Sequence, residues 1–284
     1  NSDLVIIAGR PAMGKTSFAL SIAKNIAVDY HKPIAFFFLL MDSVQLVNRL
    51  ISNVCEISGK KILSGQLSPD EWERFDSNVR KLRGAPIYID ETPSLSIFEL
   101  RTKARRLKKE HGIEVLMIDY LQLMTASGMK TNSRQEEVSA ISRSLKGLAK
   151  ELGIPILALS QLSRDLEKRE GIEGKRPQLS DLRESGAIEQ DADMVLFVHR
   201  PEYFHIYDDG HGHDMHGMAQ IIIAKHRKGA TGDVTLRFRG EFTRFSNPED
   251  EPQDNFQLPD GMGGEIIGSR INGEFPSDNN QPPF

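Results

Sequence analysis

The sequence predicts an α/β fold, a mostly parallel sheet flanked by helices and closed by an antiparallel C-terminal hairpin. Three observations predict it. Short apolar runs alternate with helical patterns along most of the chain, which implies parallel strands joined by crossover helices. The first run leads into Gly9, Gly14, Lys15 and Thr16, which satisfy GxxxxGKT, the P-loop, between a strand and a helix. From Met218 onward the pattern changes to Ile221–Lys225, Asp233–Arg239 and Glu241–Phe245, short strands joined by glycine turns.

In order, Leu4–Ala8 reads as a buried strand and an amphipathic helix begins near Lys15, ending about Tyr30. A hydrophobic run, Pro33–Met41, precedes a helix over Val44–Ile57 with Leu46, Val47, Leu50, Ile51 and Val54 on one side. A polar helix over Ser68–Arg83 leads to a short strand, Pro86–Asp90. Leu95–His111 reads as a strongly basic helix, with Arg101, Lys103, Arg105, Arg106, Lys108 and Lys109. Such a run is a solvated face unless geometry says otherwise, so it receives no nucleic-acid role. Strands recur at Glu114–Ile118, Ile154–Ser160 and Met194–His199, separated by a helix over Gln135–Leu152 and a loop-rich stretch.

With 284 residues, 39% apolar and 27% charged, the chain can bury a full core and need be no more than one large domain. It reads as globular, and without an uncharged apolar run of about eighteen residues no membrane-spanning helix is expected. Asn1 lies so close to the first strand that a fragment of a longer protein is expected. The lone cysteine, Cys55, falls in an apolar helical pattern and reads as a core residue, in keeping with a reducing cytoplasm. The formal charge of -4 is uneven: residues 247–284 hold eight acids against Arg270 alone, leaving 32 acids and 35 bases before them. The expected organisation is a domain over 1–246 and an acidic, disordered tail over 247–284. The slightly basic body permits a polyanionic partner.

The P-loop implies its own chemistry. Backbone N–H groups at a helix N-terminus wrap a phosphate chain, Lys15 reaches the β and γ phosphates, and the Thr16 hydroxyl ligates Mg²⁺. The candidate nucleotide-binding residues are Gly9, Ala12, Met13, Gly14, Lys15, Thr16 and Ser17. In VLMID, Asp119 closes a buried strand, where a carboxylate is costly unless it faces a cation; it is the candidate Walker-B acid and, with Thr16, the Mg²⁺ ligand. In ILALSQLSR, Gln161 sits at a strand's carboxyl end, where open α/β folds place their ligands, and could sense a γ-phosphate. Asp208–His216 carries His211, His213 and His216 among acids, but in a glycine-bearing loop it reads as a polar surface insertion and is assigned no metal.

GRPAMGKTSFAL, AFFFLLM with VQLVNRL, VLMIDYLQLM, SQLSR, LRESGAIEQDAD and IIIAKHRKGATG, in this order, closely resemble the C-terminal motor domain of bacterial replicative DNA helicases, the DnaB family. The match covers Leu4–Phe245. The resemblance implies a RecA-like fold, a homohexameric ring around single-stranded DNA, ATP and Mg²⁺ bound between neighbouring subunits, and ATP-driven translocation. Carried over by motif, Lys15, Thr16, Asp119 and Gln161 match the family's phosphate, metal and γ-phosphate residues, and Lys225 and Arg227 match the pair that reaches the neighbouring subunit's nucleotide. A cationic fork supplied in trans suits charge stabilisation in phosphoryl transfer. Arg183, Glu184 and Gly186 match positions at the DNA backbone, a contact mode without base readout that fits a motor passing every sequence. Residues after Tyr120, through Lys130 and Arg134, resemble the other loop facing the ring channel. The resemblance also implies primase and a helicase loader as partners, engaged mainly through family segments outside this sequence, so that ring assembly by this stretch alone is expected to be weak.

One departure matters. The family reads SLEM after its second strand, its glutamate polarising the attacking water, whereas this chain reads Phe38-Leu39-Leu40-Met41. Leu40 accepts no proton, so the expectation is nucleotide binding with slow hydrolysis; Asp42 would share the strand face if the strand continued that far. Two other classes stay open on the residues: a recombinase-type or clock-type ATPase with the same P-loop and Walker-B acid, and a non-catalytic nucleotide-binding scaffold.

Overall fold

The structure, a computed structural model, describes residues 2–40, 42–128, 133–208, 210 and 212–250, and only the backbone of 183–185. Strand β1 (Leu4–Gly9) opens onto the P-loop and α1 (Lys15–Lys24), which relaxes into a π-turn over Asn25–Asp29 before β2 (Ile34–Phe38). Three helices follow, each started by its own cap: α2 (Ser43–Cys55) by Asp42, α3 (Gly59–Ser64) by Ser58, and α4 (Pro69–Arg83) by a Ser68/Glu71 capping box with proline in the first turn. Strand β3 (Ile87–Asp90) then leads to α5 (Ile97–His111), β4 (Val115–Asp119), α6 (Arg134–Leu152) and β5 (Ile156–Gln161). The loop-rich stretch contains short helices α7 (Ile172–Lys175) and α8 (Gly186–Asp191), after which come β6 (Met194–His199), β7 (Met218–His226), β8 (Gly232–Arg239) and β9 (Arg244–Ser246).

The nine strands described form one sheet in the order β3-β2-β4-β5-β1-β6-β7-β8-β9. The first six are parallel and the last three join antiparallel, as the sequence predicts. Alternation within the apolar runs explains why both faces are covered. Ile6, Ala8, Phe37, Leu116, Ile118 and Ala158 point into one core shared with α5 and α6, while Ile7, Phe36, Phe38, Met117 and Leu159 point into the other, shared with α1 and α2.

The structure corrects some details. The second strand ends at Phe38, not Met41, and Asp42 is a helix cap rather than a strand residue: its Oδ1 accepts from the Gln45 N–H at 2.8 Å. The short helix α3 was not predicted, because a six-residue segment shows too little periodicity to register. On α5 the cations are spoken for: Arg101 and Arg105 meet Glu151, Lys103 lies 2.9 Å from Asp90, and Lys108 donates to the Ile113 carbonyl at 2.9 Å. Cys55 is buried, and burial pushes its thiol up to about 11. Asp209 and His211 lie outside the described residues, and among the described ones no three metal-ligating side chains gather. The predicted tail lies outside them from residue 251 onward, as does Lys130. Among the described residues no helix is long and apolar enough to cross a membrane.

Candidate functional site

Because β4, β5 and β1 are neighbours, their carboxyl ends bring the three predicted motifs to one edge of the sheet. Gly9 stands opposite Gln161 in the β1–β5 register, and Phe38 opposite Asp119 in the β2–β4 register. The Leu39 N–H continues that pairing by donating to the Asp119 carbonyl at 2.8 Å, which carries Leu40 to the same edge.

The two framework glycines are required for different reasons. A Cβ on Gly9 would lie 2.9 Å from the Val198 carbonyl of β6, so the strand packing excludes a side chain there. Gly14 has φ 88°, the left-handed region, and a Cβ on it would also press on the rings of Phe238 and Phe245 at 3.2 to 3.3 Å. Gly14 caps α1 without a side-chain hydrogen bond, so the first backbone N–H groups of the helix are not satisfied by their own cap, as an anion site requires.

The side chains behind the loop form a coupled set. The Thr16 hydroxyl donates to Asp119 Oδ2 at 2.7 Å, across 103 residues of chain. Lys15 Nζ donates to the Arg10 carbonyl at 3.0 Å, and burial lowers its pKa to about 8, Asp119 opposing and Arg10 adding to the fall. Burial pushes the Asp119 carboxyl above the ordinary carboxylate range, against the Thr16 hydrogen bond and the charges of Lys15 and Arg49. A cation placed between Thr16 and Asp119 would relieve that carboxylate, and the donor set, a hydroxyl with a carboxylate, is the hard-oxygen kind that Mg²⁺ takes.

These residues line a cleft of about 500 Å³. Pro11, Ala12, Gly14, Lys15, Thr16 and Ser17 form its floor, Leu40, Asp119 and Gln161 one wall, and Arg49, Phe238 and Thr243 the other. Two predicted residues do not line it: Gly9 sits behind the loop, and Met13 is buried in the α1-side core. Leu40 is 53% exposed at the position where the resemblance calls for glutamate. Asp42 is not among the lining residues, being engaged as the α2 cap, so it does not take the glutamate's place.

Several residues of the site escaped the sequence reading. Arg10, in a variable position of the P-loop pattern, is buried and donates to Glu167 at 2.6 and 2.9 Å and to the Leu162 carbonyl at 2.9 Å, which ties the loop to the segment leaving β5. Gln122 accepts from the Gln161 N–H at 3.3 Å and donates to the Ser160 hydroxyl at 2.8 Å, fixing the end of β5. The Arg200 guanidinium lies 4.2 Å from the centre of the Phe238 ring and donates to the Ala12 carbonyl at 3.2 Å. These contacts join segments far apart in the chain, and no local spacing announces them; the VLMIDYLQL stretch, with Gln122 three residues after the acid, was the available signal.

Lys225 and Arg227 are not brought to this cleft. Lys225 pairs with Val195 near the start of β6, and the Arg227 N–H donates to the Asp193 carbonyl at 2.8 Å. They stand level with the beginning of β1, roughly 15–20 Å along the sheet from the P-loop at about 3.3 Å per residue. Gly186 starts α8 on the face shared with α6. The side chains of Arg183 and Glu184 lie outside the described residues.

The model of the DnaB-like helicase C-terminal domain family matches residues 1–247. The chain is 45% identical over 260 residues to the replicative DNA helicase DnaB of Geobacillus stearothermophilus, covering 92% of this chain and 55% of that protein. It is 44% identical over 248 residues to the replicative DNA helicase DnaC of Bacillus subtilis strain 168, covering 87% and 53%. Among solved structures, a DnaB-like replicative helicase described with its interactions with primase superposes with TM-score 0.78 at 38% identity, covering 87% of this chain and 57% of that one. An isolated ATPase domain superposes equally, TM-score 0.78 at 37% identity, covering 87% and 84%. The chain therefore spans about half the length of the curated relatives it matches.

Proposed function

The chain belongs to the DnaB-like helicase C-terminal domain family, and from that premise we propose that it is the motor of a replicative DNA helicase, binding ATP with Mg²⁺ and working on single-stranded DNA at the replication fork in the cytoplasm. The observation that carries this reading is the Thr16–Asp119 hydrogen bond at 2.7 Å, set beside Lys15 at the amino end of α1. In the proposed complex the loop N–H groups and Lys15 hold the phosphates, and Thr16 with Asp119 holds the metal, whose charge offsets that of the phosphates. Gln161, fixed through Gln122, would sense the γ-phosphate. Phe238, backed by Arg200, offers a flat ring at the cleft wall against which a base can stack.

Lys225 and Arg227 lie too far along the sheet to serve their own chain's P-loop, which supports a role toward a neighbouring copy's nucleotide. A homo-oligomer, hexameric as the family resemblance implies, satisfies both that geometry and a central strand of DNA contacted through Arg183, Glu184 and Gly186. Primase and a helicase loader are the further partners proposed. With Leu40 in the wall, hydrolysis is expected to be slow while binding persists. The recombinase-type alternative receives no support from the relatives, which are replicative helicases.

The test is nucleotide affinity measured with a fluorescent ATP analogue. Lys15→Ala is expected to abolish measurable binding with the fold intact by circular dichroism; affinity equal to that of the parent chain would overturn the proposal.

A further inference from the structure

We infer that Asp193 is a positioning residue for Arg227 and Lys225, and that helix α8 ties this cation pair to the loop at Gly186, so that DNA held there and nucleotide held by a neighbouring copy influence each other. The inference rests on the proposed function, which gives the pair its role in trans and Gly186 its place at DNA.

Asp193 links α8 to β6 and is buried. Its Oδ2 accepts from Lys146 Nζ of α6 at 2.5 Å and from the Leu4 N–H of β1 at 2.8 Å, and its Oδ1 stands 3.5 Å from Arg227 Nη1. The carboxylate thus joins the central strand, the helix behind it and the cation. The pair is also held from above. Lys225 Nζ donates to the carbonyl of Glu189, and Arg227 Nη2 to the carbonyl of Gln190, both in the last turn of α8. Carbonyls at a helix C-terminus have no partner within the helix and carry partial negative charge, so they suit cations.

Two like charges two residues apart on one strand repel, and long side chains at a half-exposed edge sample many rotamers. Held by Asp193 and by α8, Lys225 and Arg227 are presented in one arrangement. Helix α8 has six residues, about 9 Å at 1.5 Å per residue, so its two ends move as one piece. Gly186 is its first residue and is exposed; Glu189 and Gln190 are in its last turn. A ligand that shifts the Gly186 end therefore shifts the carbonyls that hold the cations, through a contiguous element rather than by distance alone.

The test is a linkage measurement on the whole chain. Affinity for a fluorescent ATP analogue is measured with and without a single-stranded thymidine oligonucleotide, and the ratio of the two is the coupling, expected at about fivefold or more for the parent chain. Asp193→Asn, which keeps an acceptor for the Leu4 N–H but removes the charge, is expected to bring the ratio below about twofold. Arg227→Ala is expected to do the same, and the two together to be no worse than Arg227→Ala alone, because they break one network. If Asp193→Asn does not fold, Asp193→Asn with Lys146→Met removes both charges of the buried pair and carries the same expectation. An Asp193 that only supports the fold would lower the melting temperature and weaken both ligands in parallel, leaving the ratio at its parent value; that overturns the inference. A ratio lost in Arg227→Ala but kept in Asp193→Asn overturns the positioning role alone. A ratio unchanged in Arg227→Ala overturns the role in trans, and the inference with it.

Discussion

At position 40 a hydrocarbon side chain stands in a wall that otherwise carries Asp119 and Gln161. Restoring a carboxylate there tests the chemistry directly: Leu40→Glu is expected to raise steady-state ATP hydrolysis by about 10²-fold or more with little change in nucleotide affinity. No gain would mean that another group already activates water. A second residue-scale effect lies away from the cleft. His199, stacked on Phe204 and buried, has its pKa lowered to about 4, first by burial and then by Arg176, with Asp233 opposing. The native state therefore holds it neutral while the unfolded chain protonates it near pH 6.5, so stability rises with pH between about 4 and 6.5. Urea titrations should show about 2 kcal/mol of stability lost through this group between pH 7 and pH 5. His199→Gln should flatten that part of the profile; an unchanged profile would show that other groups govern the acid response.

At the level of elements, what could be read from the chain was what repeats locally. The runs LVIIA, VLMID and MVLFVH gave strands because their apolar residues are continuous and β-branched, and caps such as Ser68, Ser96 and Ser133 mark where helices start. Lys15, Thr16, Asp119 and Gln161 were legible because each belongs to a motif fixed by a strand end. Arg10–Glu167, Gln122–Ser160 and Arg200 on Phe238 were not, since each pairs residues whose meeting depends on strand order. Strand order also sets the tolerance of the loop. Because the Val198 carbonyl crosses so near Gly9, Gly9→Ala must push β6 away from β1, at a cost of about 1–3 kcal/mol. Chemical denaturation checks this. A change within experimental error would mean that the two strands give way freely.

For the whole molecule, the separation between the P-loop and the Lys225/Arg227 pair makes assembly a catalytic requirement. In a Leu40→Glu background, Lys15→Ala and Arg227→Ala chains should each be nearly inactive alone, yet regain hydrolysis when mixed, because a mixed contact unites an intact loop with an intact pair. Absence of any recovery would place the cations in service of their own chain. The strand order carries one more consequence. Strand β1 is made first but pairs with β5 and β6, which are made last. Its partners lie well over a hundred residues downstream, the kind of distant pairing that slows folding. During synthesis on the ribosome, the opening strand must wait without neighbours until residues beyond His199 have left the exit tunnel. A nascent chain stopped short of that point would have made every phosphate-binding residue and still be unable to grip ATP.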